Sequence, residues 1–112
     1  ARHPVEAYSI AITEGKKKFV YTGDTNTNPA LSLFADGADL LLADAGLLEP
    51  DWSERAPHLS AQKCGELARE ARVRALALTH LSPRYDPEAV LKEGRSAYPA
   101  AALAQPGATW TI

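Results

Sequence analysis

Cysteine occurs once in the 112 residues, at position 64, and methionine does not occur at all. A lone thiol excludes an intrachain disulfide framework and fits a reducing, cytoplasmic setting. The missing methionine predicts a processed or truncated piece rather than a complete translation product. No apolar run approaches the ~18 residues of a membrane-spanning helix, and no basic and apolar leader precedes the first strand-like segment, so no membrane partner is expected. An excess of one charge is missing too: 12 basic side chains stand against 14 acidic ones. The one basic run, Lys16-Lys17-Lys18, falls in what reads as a solvated hairpin turn, which argues against general polyanion binding. There is no Gly-rich phosphate loop, P-loop or nucleophile elbow. Ser60 reads as a helix cap and Ser82 adjoins a proline, so serine–histidine catalysis has no support.

What is present is 46% hydrophobic residues in a length that allows one domain and a core of its own. Val5 to Thr13 and Phe19 to Thr22 read as two strands joined at Glu14-Gly15-Lys16-Lys17. Asn28-Pro29 opens a short helix that ends by Asp36-Gly37. Leu40 to Ala43 and Ala75 to Thr79 are continuous apolar runs, the pattern of strands buried on both faces. Between them lies a polar, Pro-punctuated loop or lid from Gly46 to Pro57, in which Trp52 is either a substrate contact or a packing residue. A helix capped by Ser60 then runs to about Arg72, placing Cys64 on its apolar side as a core thiol. Asp86 and Pro87 begin a last helix that stops at Tyr98-Pro99, and Ala101 to Ala104 and Thr109 to Ile112 suggest edge strands. Alternating strands and helices predict an α/β layered fold with at least three parallel strands.

Asp24, Asp44 and His80 each follow an apolar strand, and in open α/β sheets reacting groups collect at that carboxyl edge. Carboxylates and imidazoles together suit a borderline divalent cation: zinc first, manganese or iron as alternatives. Each residue also has a structural reading as a cap or a satisfied polar group, so a non-catalytic α/β binding or interaction module without metal is the alternative.

The strings Tyr21-Thr22-Gly23-Asp24-Thr25, Leu41-Leu42-Ala43-Asp44-Ala45, His58-Leu59-Ser60 and Thr79-His80-Leu81-Ser82-Pro83-Arg84-Tyr85, preceded by His3-Pro4, resemble the second half of a metallo-β-lactamase-fold hydrolase. The branch they resemble includes ribonuclease Z and related phosphodiesterases. The resemblance implies that residues 1–112 form the carboxyl-terminal part of an αββα sandwich whose amino-terminal half is absent. By it, His3 binds one of two divalent metals, Asp24 bridges them and His80 binds the other. His58 is implied as proton donor to the leaving oxygen, oriented by Asp44, although ribonuclease Z has Glu at that position and different residues where Ala43 and Gly46 stand. The family's histidine-rich motif, with the remaining ligands and the general-base aspartate, is missing, so the chain alone cannot complete the site. Partners are therefore expected in the amino-terminal half of the same protein or a second copy, meeting an apolar sheet face left open. A short hairpin replaces the long tRNA-binding arm of ribonuclease Z. The implied substrate is accordingly a phosphodiester or other small hydrolysable compound, with RNA not favoured.

Overall fold

A computed structural model describes residues 10–23, 29–56, 58–79 and 82–104. His3, Asp24 and His80, and the strand expected at Thr109 to Ile112, lie outside the described residues. Strands β1 (Ile10–Glu14) and β2 (Lys17–Tyr21) form an antiparallel hairpin. Gly15, at φ +60°, takes the first position of the two-residue turn, where a tight hairpin asks for a positive φ. The turn is shorter than the sequence suggested, because Lys17 pairs with Glu14 and Lys18 with Thr13 in the ladder. Lys18 is no loose cation: its backbone N–H donates to Asp39 Oδ2 at 2.9 Å and its Nζ to the Asp36 carbonyl at 3.2 Å.

From there β and α alternate: α1 (Pro29–Phe34), β3 (Leu40–Asp44), a 3-10 turn at Glu49–Asp51, α2 (Ala61–Ala71), β4 (Leu76–Thr79), α3 (Pro87–Ala97) and β5 (Ala102–Leu103). The sheet order is β1-β2-β3-β4-β5, and β2 through β5 are parallel. The expectation of at least three parallel strands is met. Right-handed crossovers that all advance in one direction place their helices on the same face. The packing agrees, since α2 lies against both α1 and α3. Val20, Leu41, Leu76 and Leu78 point into that helical layer and are essentially fully buried.

The helix ends follow from local chemistry. Ser60 Oγ accepts from Lys63 N at 3.0 Å, and Arg72 closes α2 in the left-handed region at φ 57°. Asp86 caps α3 by accepting from Glu88 N at 3.1 Å, with Pro87 at the first position. The two helices approach closely at glycines: a Cβ on Gly65 would stand 2.7 Å from the Gly94 carbonyl oxygen.

The opposite sheet face carries no helix among the described residues. Strand alternation puts Ile12, Phe19, Tyr21 and Leu42 there. Ile12 is 57% exposed, Phe19, Tyr21 and Leu42 are half-buried, and a concavity of about 390 Å³ opens between Ile12, Glu14, Lys17 and Phe19. This is the open apolar face expected from the sequence.

Candidate active site

Asp44 is the last residue of β3 and alternates onto the same side of the sheet as Leu42, at the carboxyl edge. The strands on either side end beside it. Asp44 pairs in register with Thr79, the last residue of β4, and its N–H donates to Thr22 Oγ1 at 3.1 Å. Asp24 and His80 follow these two strand ends in the chain, after Gly23 and Thr79. Parallel pairing thus brings the chain to one edge at the three places where the sequence carries polar chemistry.

Of the candidate residues, the structure brings together His58 and Asp44. Imidazole Nδ1 lies 2.6 Å from Asp44 Oδ2; the carboxylate is fully buried and the ring 25% exposed. A buried carboxylate on Nδ1 holds the proton there and fixes the ring plane. Gly46 makes this approach feasible. A Cβ at that position would lie 3.0 Å from His58 Cγ, 3.2 Å from His58 Cβ and 3.4 Å from Asp44 Oδ1, so the ring occupies the space of a missing side chain.

The 46–57 segment is held at several points. The Leu47–Ser60 bridge and the Ala61 N–H donating to the Leu47 carbonyl at 2.9 Å fasten its start to the residues before α2. Ser60 Oγ donates to Glu49 Oε2 at 3.0 Å. Lys63 Nζ sits 4.5 Å from the Trp52 ring centre and 3.5 Å from Glu49 Oε1, which gives Trp52 a packing partner on α2. Further along, Asp51 accepts from the Tyr85 hydroxyl and from Arg84 at 3.2 Å, joining the segment to the loop beyond β4. That hydrogen bond to Asp51 is the main cause raising the Tyr85 hydroxyl pKa above its ordinary value. Sequence reasoning missed these ties, since Glu49, Asp51 and Lys63 belong to no motif and their partners are distant in the chain.

Cys64 is a core thiol, as expected. It is fully buried and donates to the Asp44 carbonyl at 3.2 Å. Burial pushes its pKa well up, and the carboxylates of Asp44 and Glu93 push the same way. A raised folded-state pKa favours the neutral thiol, so its contribution to stability is in full below the unfolded thiol's ordinary value. That contribution is lost as pH climbs from there through the raised folded value. We expect the unfolding midpoint to fall more between pH 7.5 and pH 10 in the native chain than in Cys64→Ala, and the folded thiol to resist a disulfide reagent at neutral pH. Equal slopes in both chains would remove the assignment.

Among the described residues no three His, Cys, Asp or Glu side chains cluster as a metal site. His3, Asp24 and His80, which the resemblance implies as ligands, lie outside the described residues. Imidazole and carboxylate donors of this kind suit a divalent cation. No helix among the described residues is long and apolar enough to cross a membrane.

Comparisons with known proteins agree with this architecture. A Beta-lactamase superfamily domain model matches residues 1–81. The chain is 40% identical over 92 residues to ribonuclease Z of Bradyrhizobium sp. (strain ORS 278), covering 80% of this chain and 31% of that protein. It is 34% identical over 79 residues to the probable metallo-hydrolase YhfI of Bacillus subtilis (strain 168), covering 70% of this chain and 32% of that protein. The crystal structure of the metallo-beta-lactamase fold protein YhfI superposes with a TM-score of 0.91 at 28% identity, over 98% of this chain and 46% of the other. Human tRNase Z, short form, matches with a TM-score of 0.65 at 26% identity, over 73% of this chain and 33% of that one. The chain thus spans about a third of the length of the curated relatives it matches. With the family model, the fold and the relatives in agreement, the chain belongs to the beta-lactamase superfamily, with the metallo-β-lactamase fold and ribonuclease Z among its relatives.

Proposed function

We propose that this chain forms the carboxyl-terminal half of a metal-dependent hydrolase that cleaves phosphodiesters or similar small substrates. The observation that carries this reading is the 2.6 Å His58–Asp44 pair, set at the sheet edge where the strands leading to Asp24 and His80 end. Relatives named ribonuclease Z and metallo-hydrolase support it. In this reading His3, Asp24 and His80 would hold two divalent ions, Asp24 as a ligand shared by both and zinc the first expectation. The ions when bound supply Lewis-acid activation of water and charge neutralisation. The chain's own contribution is a proton. Asp44 accepts the Nδ1–H and stabilises the protonated ring, so Nε2 is the atom that hands a proton to the departing oxygen. The open face with Ile12, Phe19, Tyr21 and Leu42 is the surface on which the remaining half of the sandwich, or a second copy, packs. Cytoplasmic placement goes with the single reduced thiol.

The test uses the protein at its full natural length. Metal content by elemental analysis and hydrolysis of bis(p-nitrophenyl) phosphate are measured for the native protein and for Asp24→Ala. We expect the native protein to carry metal and turn the substrate over, and Asp24→Ala to lose both while keeping its circular dichroism spectrum. Unchanged turnover in Asp24→Ala would sink the bridging assignment. A metal-free, inactive native protein would favour the binding-module reading.

A further inference from the structure

We propose that Glu93, on α3 and outside every motif considered above, is a positioning residue that sets where His58 stands. Its carboxylate lies between two helix starts and serves both: Oε1 accepts from Glu49 N at 2.9 Å and Oε2 accepts from Gln62 N at 3.0 Å. Glu49 opens the 3-10 turn and Gln62 is the second residue of α2, so each N–H is among those that a helix start leaves without an internal partner. A carboxylate is also the favoured charge at such a terminus. One side chain thus fastens the lid and the beginning of α2 to the same point on a third element.

His58 lies four residues before Gln62, and the residues between them are tied to the lid by the Leu47–Ser60 bridge and by Ser60 Oγ on Glu49 Oε2. The ring therefore rests on two supports. Asp44 and Gly46 fix it from the sheet, and Glu93 fixes the backbone on which it is mounted. A 2.6 Å bond to a fully buried carboxylate tolerates little displacement of that backbone. As a statement about the reaction this rests on the hydrolase reading; as a statement about the ring it does not.

Glu93→Gln has nearly the same shape but offers one oxygen and one NH2 to two N–H donors, so one of the two bonds is lost. The control is Val90→Ala, a fully buried residue one turn earlier on α3 that loosens the helix without touching either N–H. In 15N-histidine-labelled protein, the His58 Nδ1–H resonance, identified by its loss in His58→Gln, is followed together with its exchange with water. We expect slow exchange in the native protein and in Val90→Ala, and at least tenfold faster exchange or loss of the signal in Glu93→Gln. The phosphodiesterase kcat of Glu93→Gln should fall about tenfold, with KM and metal content unchanged. Native-like exchange in Glu93→Gln, or equal acceleration in Val90→Ala at a matched loss of thermal stability, would overturn the proposal. Expected ring behaviour in a protein without phosphodiesterase activity would retain the positioning of the ring and remove the hydrolase reading.

Discussion

Asp44→Asn should cut turnover of a phosphodiester with an alkoxide leaving group by about two to four orders of magnitude, the usual range for a lost general acid or base. The carboxamide can still accept the His58 Nδ1–H but carries no charge to stabilise the protonated ring. The proton on Nε2 is then held by an unsupported imidazole. The loss should depend on the leaving group. p-Nitrophenolate departs without much help from an acid, so bis(p-nitrophenyl) phosphate should suffer far less than a dinucleotide. KM and metal content should not change, which separates Asp44 from Asp24. Steady-state kinetics on both substrates decides the matter, and an equal loss on the two would show that Asp44 positions the ring without supporting proton transfer.

The largest effect on stability is expected from Gly65→Ala. The added methyl would stand 2.7 Å from the Gly94 carbonyl oxygen and 2.8 Å from Ala97 Cβ. Both neighbours belong to the framework of α3, so neither can swing aside. Alanine gains up to about 1 kcal/mol over glycine in helix propensity. Forcing the two helices apart costs on the order of 1 to 3 kcal/mol, and it also disturbs the Glu93 contacts to Gln62 and Glu49. The steric cost wins, and the thermal midpoint should drop by roughly 5 to 10 °C. Gly94→Ala is the instructive comparison. Its methyl also meets an atom at 2.7 Å, but that atom is Leu78 Cδ1, the end of a side chain that can turn. A smaller drop is expected there, and calorimetry on the pair would reverse the argument if Gly94→Ala proved the worse.

The elements legible in the sequence were those whose causes are local. Ser60, Asp86 and Pro87 announce helix starts through chemistry contained within a few residues, and both helices begin there. Leu40 to Ala43 and Ala75 to Thr79 are apolar enough to be read as buried strands, within a residue of the strands observed, and their parallel pairing follows from the helix between them. Lys16-Lys17-Lys18 misled because a run of like charges resembles a turn, whereas Glu14 opposite Lys17 extends the ladder. The geometry of the site was legible only in part. His58 and Asp44 are 14 residues apart and meet as the resemblance implied, but the support for that meeting comes from residues with no pattern of their own. Glu93 is one of two acidic residues on an amphipathic helix, and 31 residues separate it from Gln62. Gly46 looks like an ordinary loop glycine until the ring of His58 is seen in the space beside it.

The sheet is laid down in the order in which the chain is made, β1-β2-β3-β4-β5, with every strand beside its neighbour in sequence. Among the described residues, no strand has to wait for a distant one or be inserted between two already paired. Each parallel addition closes one loop the length of a single crossover, so the entropy of closure is met in modest instalments. Such topologies fold faster than those that must join remote segments first. The hairpin can form as soon as it leaves the ribosome, and each later strand and helix then finds a completed edge on which to dock. Assembly of the dyad comes in the middle of this sequence, once α2 has packed. The contacts of Glu93 are added one unit later, when α3 arrives, so the His58 ring gains its precision only after the dyad itself has met.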